Sequence, residues 1–165
     1  MKSYGVSVDS SADIERVLKN SNSEVLEIMF NLFHQETRNA FPLVEEKGVG
    51  LIVKVPLDSG WLTGKYGRNS KFEGIRKRWS RSVIERRAEL IEKVKEIKGD
   101  EGSMVQEALC FILSYPEIST VIPGVRNKEQ LRENLGASNK EMPEKKVMRY
   151  EEFYRDNIMG NLLPW

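Results

Sequence analysis

The chain is expected to be an α/β protein built on a parallel sheet of four strands. Three observations predict it. Four short apolar runs, at residues 4–8, 24–33, 49–55 and 118–122, are each followed by a helical pattern. That alternation marks parallel strands joined by right-handed crossover helices. The second run carries Val25, Leu26, Ile28, Met29 and Phe30, nearly continuous apolar, as in a strand covered on both faces. A closed barrel of this kind needs eight strands and about 250 residues. The 165 residues here supply half of those strands.

The elements follow in order. Residues 4–8 form the first strand, Asp9, Ser10 and Ser11 turn the chain, and residues 12–18 carry a helix. A strand so close to Met1 leaves an unpaired edge, and it suggests that Met1 is a truncation rather than a genuine start. After the second strand, residues 35–47 read as a helix. Phe41, Leu43 and Val44 are on its buried side, Pro42 implies a late start or kink, and Gly48 is the stop. Strand 49–55 runs into a loop, 56–66, with Gly60 and Gly64 for close backbone approach and Ser59 and Thr63 as hydroxyl donors. Residues 66–80 are a long polar loop. Residues 83–98 are the clearest helix, with Ile84, Ala88, Ile91 and Val94 on one stripe. Ser103 and Gln106 make a capping box for a helix over 104–115, apolar almost all round, in which Cys110 is a small buried residue. Residues 143–156 read as a final amphipathic helix, and 158–165 as an apolar tail that packs on the body.

Composition narrows the function classes. Charged residues are 31% and hydrophobic ones 39%, the balance of a soluble globular domain. A net charge of +1 gives no global field for nucleic acid or membrane. Basic residues outnumber acidic ones nine to two between 65 and 87, but no aromatic stacking pattern accompanies them. This reads as a mobile loop beside an anionic ligand, or a solvated face. A single cysteine excludes an internal disulfide framework and suits a reducing cytosol, so the expected location is cytoplasmic. No apolar run reaches the roughly 18 residues of a membrane span. No metal-ligand spacing is present. His34, the single histidine, follows a strand with no nucleophile motif around it and reads as structural.

The most informative stretch is 118–134. A β-branched run meets Pro123-Gly124, then Arg126 and a capping Asn127. Strand, tight turn and helix N-terminus is a geometry that holds phosphates. Arg126, Gln130 and Asn134 recur at spacings of four, which on a helix is one face. A guanidinium and two amides can grip a phosphate and then a flat heterocycle. The same spacing also suits an ordinary solvated polar face.

Val121-Ile122-Pro123-Gly124-Val125-Arg126-Asn127, with Glu129-Gln130-Leu131 and Glu133-Asn134 after it, resembles the last strand and helix of the aldo-keto reductases. Pro56-Leu57-Asp58-Ser59-Gly60-Trp61-Leu62-Thr63-Gly64-Lys65-Tyr66 resembles that family's loop after strand seven, and Tyr4-Gly5-Val6-Ser7 its fifth strand. The resemblance implies the C-terminal half, strands five to eight, of a TIM-type (β/α)8 barrel. It covers residues 1–165 as one partial domain, with 143–165 as C-terminal helix and tail.

The resemblance further implies NADP(H) as cofactor. Arg126, Gln130 and Asn134 would hold the adenosine 2′-phosphate and adenine. Pro56, Leu57, Ser59, Gly60, Leu62 and Gly124 would lie along the dinucleotide, with Ser7 and Glu27 at the nicotinamide. The family usually has an amide where Glu27 stands. A carboxylate cannot donate, so Glu27 reads equally as a barrel-interior residue paired with a lysine. The family's catalytic Asp, Tyr, Lys and His belong to its first four strands, and no position here matches them. Three readings stay open. The chain is the cofactor-binding part of a carbonyl reductase that needs an N-terminal half-barrel, a non-catalytic half-barrel paired with a second copy of itself, or a truncated remnant.

Overall fold

The computed structural model describes residues 2–100 and 102–164, with only the backbone at Ile75. Four strands, β1 (Gly5–Val8), β2 (Val25–Met29), β3 (Gly50–Lys54) and β4 (Ile118–Val121), form one parallel sheet in the order β1-β2-β3-β4. Among the described residues six α-helices cross between and beyond them: α1 (Ser11–Asn20), α2 (Phe41–Lys47), α3 (Arg81–Lys98), α4 (Met104–Leu113), α5 (Lys128–Leu135) and α6 (Glu144–Tyr154). The fold is α/β, and the sheet is half of an eight-stranded barrel in strand number.

Local chemistry accounts for most of the boundaries. Ser10 accepts from the Asp13 N–H at 3.1 Å and starts α1; Ser80 accepts from Val83 and starts α3. Pro42 sits in the first turn of α2, where its missing N–H costs nothing, and Gly48 ends the helix at φ 64°. The expected helix over 35–47 therefore divides, with a 3₁₀ turn at Glu36–Ala40 before α2. The second strand stops at Met29, short of residue 33. The Asn31 side chain accepts from the Phe33 and His34 N–H groups, at 2.8 and 3.1 Å, and pulls the chain into a turn. The capping box of α4 forms only in part: Ser103 accepts from Gln106 N–H, while the Gln106 amide donates instead to the Glu133 carbonyl.

One face of the sheet carries Leu26, Ile28, Leu51, Val53 and Ile118, all buried. They pack against Ile14, Phe41, Val44, Phe111 and Ile112 of the helical layer. Phe30 sits at the centre, its ring 5.1 to 5.7 Å from Phe41, Phe111 and Tyr115. The other face alternates with it: Val25, Glu27, Met29, Ile52 and Lys54 are half-exposed. The near-continuous apolar run of β2 is thus covered on one face only. In a closed barrel the interior layers draw on all eight strands, and four leave that interior open.

The 66–80 segment is not simply polar. Trp61, Tyr66, Phe72 and Trp79 pack on one another beneath the basic residues, with ring centroids 4.8 to 6.2 Å apart. These rings serve packing, so they form no platform for bases. On α6, Tyr150, Phe153 and Tyr154 are buried while Met148 faces out. Burial and Glu151 push the Tyr115 phenol up; burial and Glu107 do the same for Tyr150. Both stay protonated and donate to those carboxylates, tying α6 to the body. Ile158 and Leu163 of the tail are buried as expected, and Trp165 lies outside the described residues.

Candidate functional site

Two loops at the C-terminal ends of β3 and β4 build a groove of about 480 Å³. The first wall leaves β3 under backbone constraint. Val55, Asp58 and Ser59 all take left-handed φ, at 53°, 43° and 54°, and Gly60 follows at 97°. Such conformations persist only where the surroundings over-determine them. Here Asn31 donates to the Val55 carbonyl at 2.9 Å, and the Thr63 hydroxyl donates to the Gly60 carbonyl at 2.7 Å. At Gly60 a Cβ would also press on the Tyr66 ring at 3.2 Å.

The second wall is the turn after β4. Asn127 caps α5 by accepting from Gln130 N–H at 2.9 Å, and the Gln130 side-chain oxygen accepts from Arg126 N–H at 2.9 Å. Arg126 therefore precedes the helix rather than riding on it. Even so, Arg126, Gln130 and Asn134 all line the groove. The Asn134 Nδ2 is buried and has no hydrogen-bond acceptor among the described residues.

Of the candidate site residues, the structure gathers Pro56, Leu57, Ser59, Gly60, Gly124, Arg126, Gln130 and Asn134 into this one groove. Leu62 is fully buried, its side chain in the core beneath the loop. Ser7 and Glu27 stand elsewhere, on the open face of the sheet. There Lys54 donates to the Ser7 hydroxyl at 2.8 Å and lies 3.9 Å from Glu27 and 3.1 Å from Asp9. A lysine thus stands beside Glu27, as one of its two readings has it.

Sequence reading missed several lining groups. Lys65 and Arg76 enter the groove from the basic loop, and Glu133 from α5. Three cations thus face one carboxylate, and that carboxylate already accepts from Ser103. The signal for Lys65 lay in its position directly after Gly64; Arg76 was hidden in a run of like charges. A second cavity of similar size, about 500 Å³, lies between α3, α4 and α6. Its lysines are engaged locally: Lys98 with the Gly102 carbonyl, Lys140 with Gln106 and Lys146 with Glu107. The groove of the two loops is the better candidate for an anionic ligand. No group of His, Cys, Asp or Glu among the described residues could hold a metal ion.

Residues 1–155 match the model of the aldo/keto reductase family. The chain belongs to the aldo/keto reductase family. It is 26% identical over 156 residues to the uncharacterized oxidoreductase YqkF of Bacillus subtilis, covering 94% of this chain and 51% of that one. It is 33% identical over 118 residues to a probable voltage-gated potassium channel subunit beta of Oryza sativa, covering 66% and 36%. The glycerol dehydrogenase AKR11B4 from Gluconobacter oxydans shares the fold at a TM-score of 0.78 and 16% identity, over 99% of this chain and 52% of that one. The aldo-keto reductase AKR11C1 from Bacillus halodurans does so at 0.72 and 20%, over 92% and 50%. The chain spans about half the length of the oxidoreductase relatives and 36% of the channel subunit, as a half barrel of the reductase fold does. No described helix is long and apolar enough to cross a membrane.

The groove fits the phosphate-bearing end of a nicotinamide dinucleotide. It has three cations for phosphates and an unsatisfied amide donor for a heterocycle.

Proposed function

We propose that this chain is the NADP(H)-holding part of an aldo-keto reductase that converts aldehydes or ketones to alcohols. The observation that carries the reading is the convergence of Arg126, Gln130, Asn134, Lys65 and Arg76 on one groove. Arg126 presents a fork to the adenosine 2′-phosphate. Gln130 and Asn134 meet the adenine, and the unpartnered Asn134 Nδ2 gains an acceptor there. Lys65, Arg76 and the constrained backbone at Ser59 and Gly60 face the diphosphate. Ser7 and Glu27 would face the nicotinamide end from the open sheet. The bound cofactor supplies the hydride; what these residues supply is grip, orientation and charge balance.

The reaction itself needs a proton donor within hydrogen-bond reach of the substrate oxygen. We assign none to this chain. A further four-stranded half would bring it and would close the barrel on the outer edges of β1 and β4. Exposed apolar residues mark both seams: Tyr4 and Val6 at β1, and Ile122, Leu131 and Leu135 beside β4. Helix α5 has no buried residue at all, which is the state of a helix whose neighbour is yet to arrive.

Calorimetric titration with NADPH and NADH tests the reading. NADPH is expected to bind at one site per chain and NADH more weakly; a folded chain that binds neither overturns it. Light scattering is run alongside. A monomer fits a chain awaiting a different half, and a dimer shows that a second copy covers the edges instead.

A further inference from the structure

Behind the constrained wall of the groove lies a buried charge cluster that no part of the cofactor grip uses. Asp58 and Arg87 are both fully buried, and Arg87 Nε donates to Asp58 Oδ2 at 3.0 Å. Arg87 comes from α3, where it shares the inward stripe with Ile84, Ala88 and Ile91. Its other fork arm donates to the Pro164 carbonyl at 3.1 Å, and the guanidinium lies 5.0 Å from the centre of the Trp79 ring. On the far side, His34 Nε2 is 3.5 Å from Asp58 Oδ1. Burial alone would raise the Asp58 carboxyl; His34 and the Arg87 charge outweigh it and hold it below the ordinary carboxylate value.

A buried ion pair is a poor source of net stability, since apolar groups of similar volume often do as well or better. What it supplies is one fixed geometry. Here that geometry acts on a residue with φ 43°, directly before Ser59 and Gly60, which line the groove. The opposite wall, with Arg126, Gln130 and Asn134, makes no contact with the cluster through any of these bonds.

We propose that Asp58 and Arg87 are positioning residues: their buried pair holds the left-handed backbone of Asp58, Ser59 and Gly60 in the shape that receives the cofactor diphosphate. The inference rests on reading the groove as a dinucleotide site and adds a division of labour to it. One wall is held in shape by the buried pair; the other acts independently of it.

The test uses the full chain and two probes, NADPH and adenosine 2′-monophosphate. The second reaches only the Arg126 wall. Asp58→Asn alone leaves Arg87 charged and unpaired, which can cost folding. The deciding variant is therefore Asp58→Asn/Arg87→Met, which removes both charges and keeps a residue that tolerates left-handed φ. Circular dichroism and thermal melting establish that it folds. The expected result is NADPH affinity about tenfold weaker, with adenosine 2′-monophosphate affinity unchanged. Unchanged NADPH affinity in the folded variant overturns the positioning role. Equal weakening of both probes also overturns it, because a merely structural pair would loosen both walls alike. A wild-type chain that binds neither probe overturns the dinucleotide reading, and this inference with it.

Discussion

Replacing Arg126 by alanine separates the 2′-phosphate from the rest of the cofactor. The turn should survive the change. The bond that Arg126 makes within the protein is from its backbone N–H to Gln130, and alanine keeps that N–H. The loss is therefore confined to the guanidinium. Arg126 is exposed at the groove mouth, so its interaction with a phosphate is screened by water and salt. A charge-assisted fork on phosphate under such screening contributes about 1–2 kcal/mol, or about 5- to 30-fold in Kd at 25 °C. NADH lacks the 2′-phosphate and should lose less than about twofold. Fluorescence titration of both cofactors with wild type and variant measures the ratio directly. Raising the salt should shrink the wild-type preference for NADPH and leave the variant's nearly flat. Equal weakening of both cofactors would refute the assignment, because Arg126 would then be reading something other than the 2′-phosphate.

Two further outcomes concern the frame that holds the groove. Phe30→Ala removes a ring enclosed by Phe41, Phe111 and Tyr115 and should lower unfolding stability by about 3–5 kcal/mol in urea titration. The Asp58 carboxyl is held below its ordinary value of 3.8 in the folded chain. Its contribution to stability is complete above that unfolded-state value and is lost as pH falls through the lower folded-state one. Urea midpoints measured between about pH 2 and 6 should therefore decline toward acid, and Asp58→Asn/Arg87→Met should flatten that limb.

Much of the frame was legible because local chemistry and tertiary packing agree. All four strands and the long helix α3 lie where apolar spacing put them, and Ser10, Gly48 and Asn127 cap as their types predict. Boundaries slipped where a side chain competed with the backbone: Asn31 cut β2 short, and Gln106 left its capping box for Glu133. Charge was the harder signal. Arg87 looked like one more residue of a basic run, yet it occupies the i+3 place of the Ile84 stripe and is fully buried. Its partner Asp58 lies 29 residues away, a pairing that periodicity does not report. The grip residues of the two motifs were readable because each motif is continuous in sequence. Their meeting with Arg76 depends on how the basic loop folds over Trp61 and Phe72, and nothing local encodes that.

The most direct measurement is an amide chemical-shift map of the chain titrated with NADPH. The expected shifts cluster on two segments, residues 55–65 and 122–134, and reach saturation together. A folded chain whose shifts are absent, or gather around the cavity between α3, α4 and α6, would contradict the groove as the cofactor site.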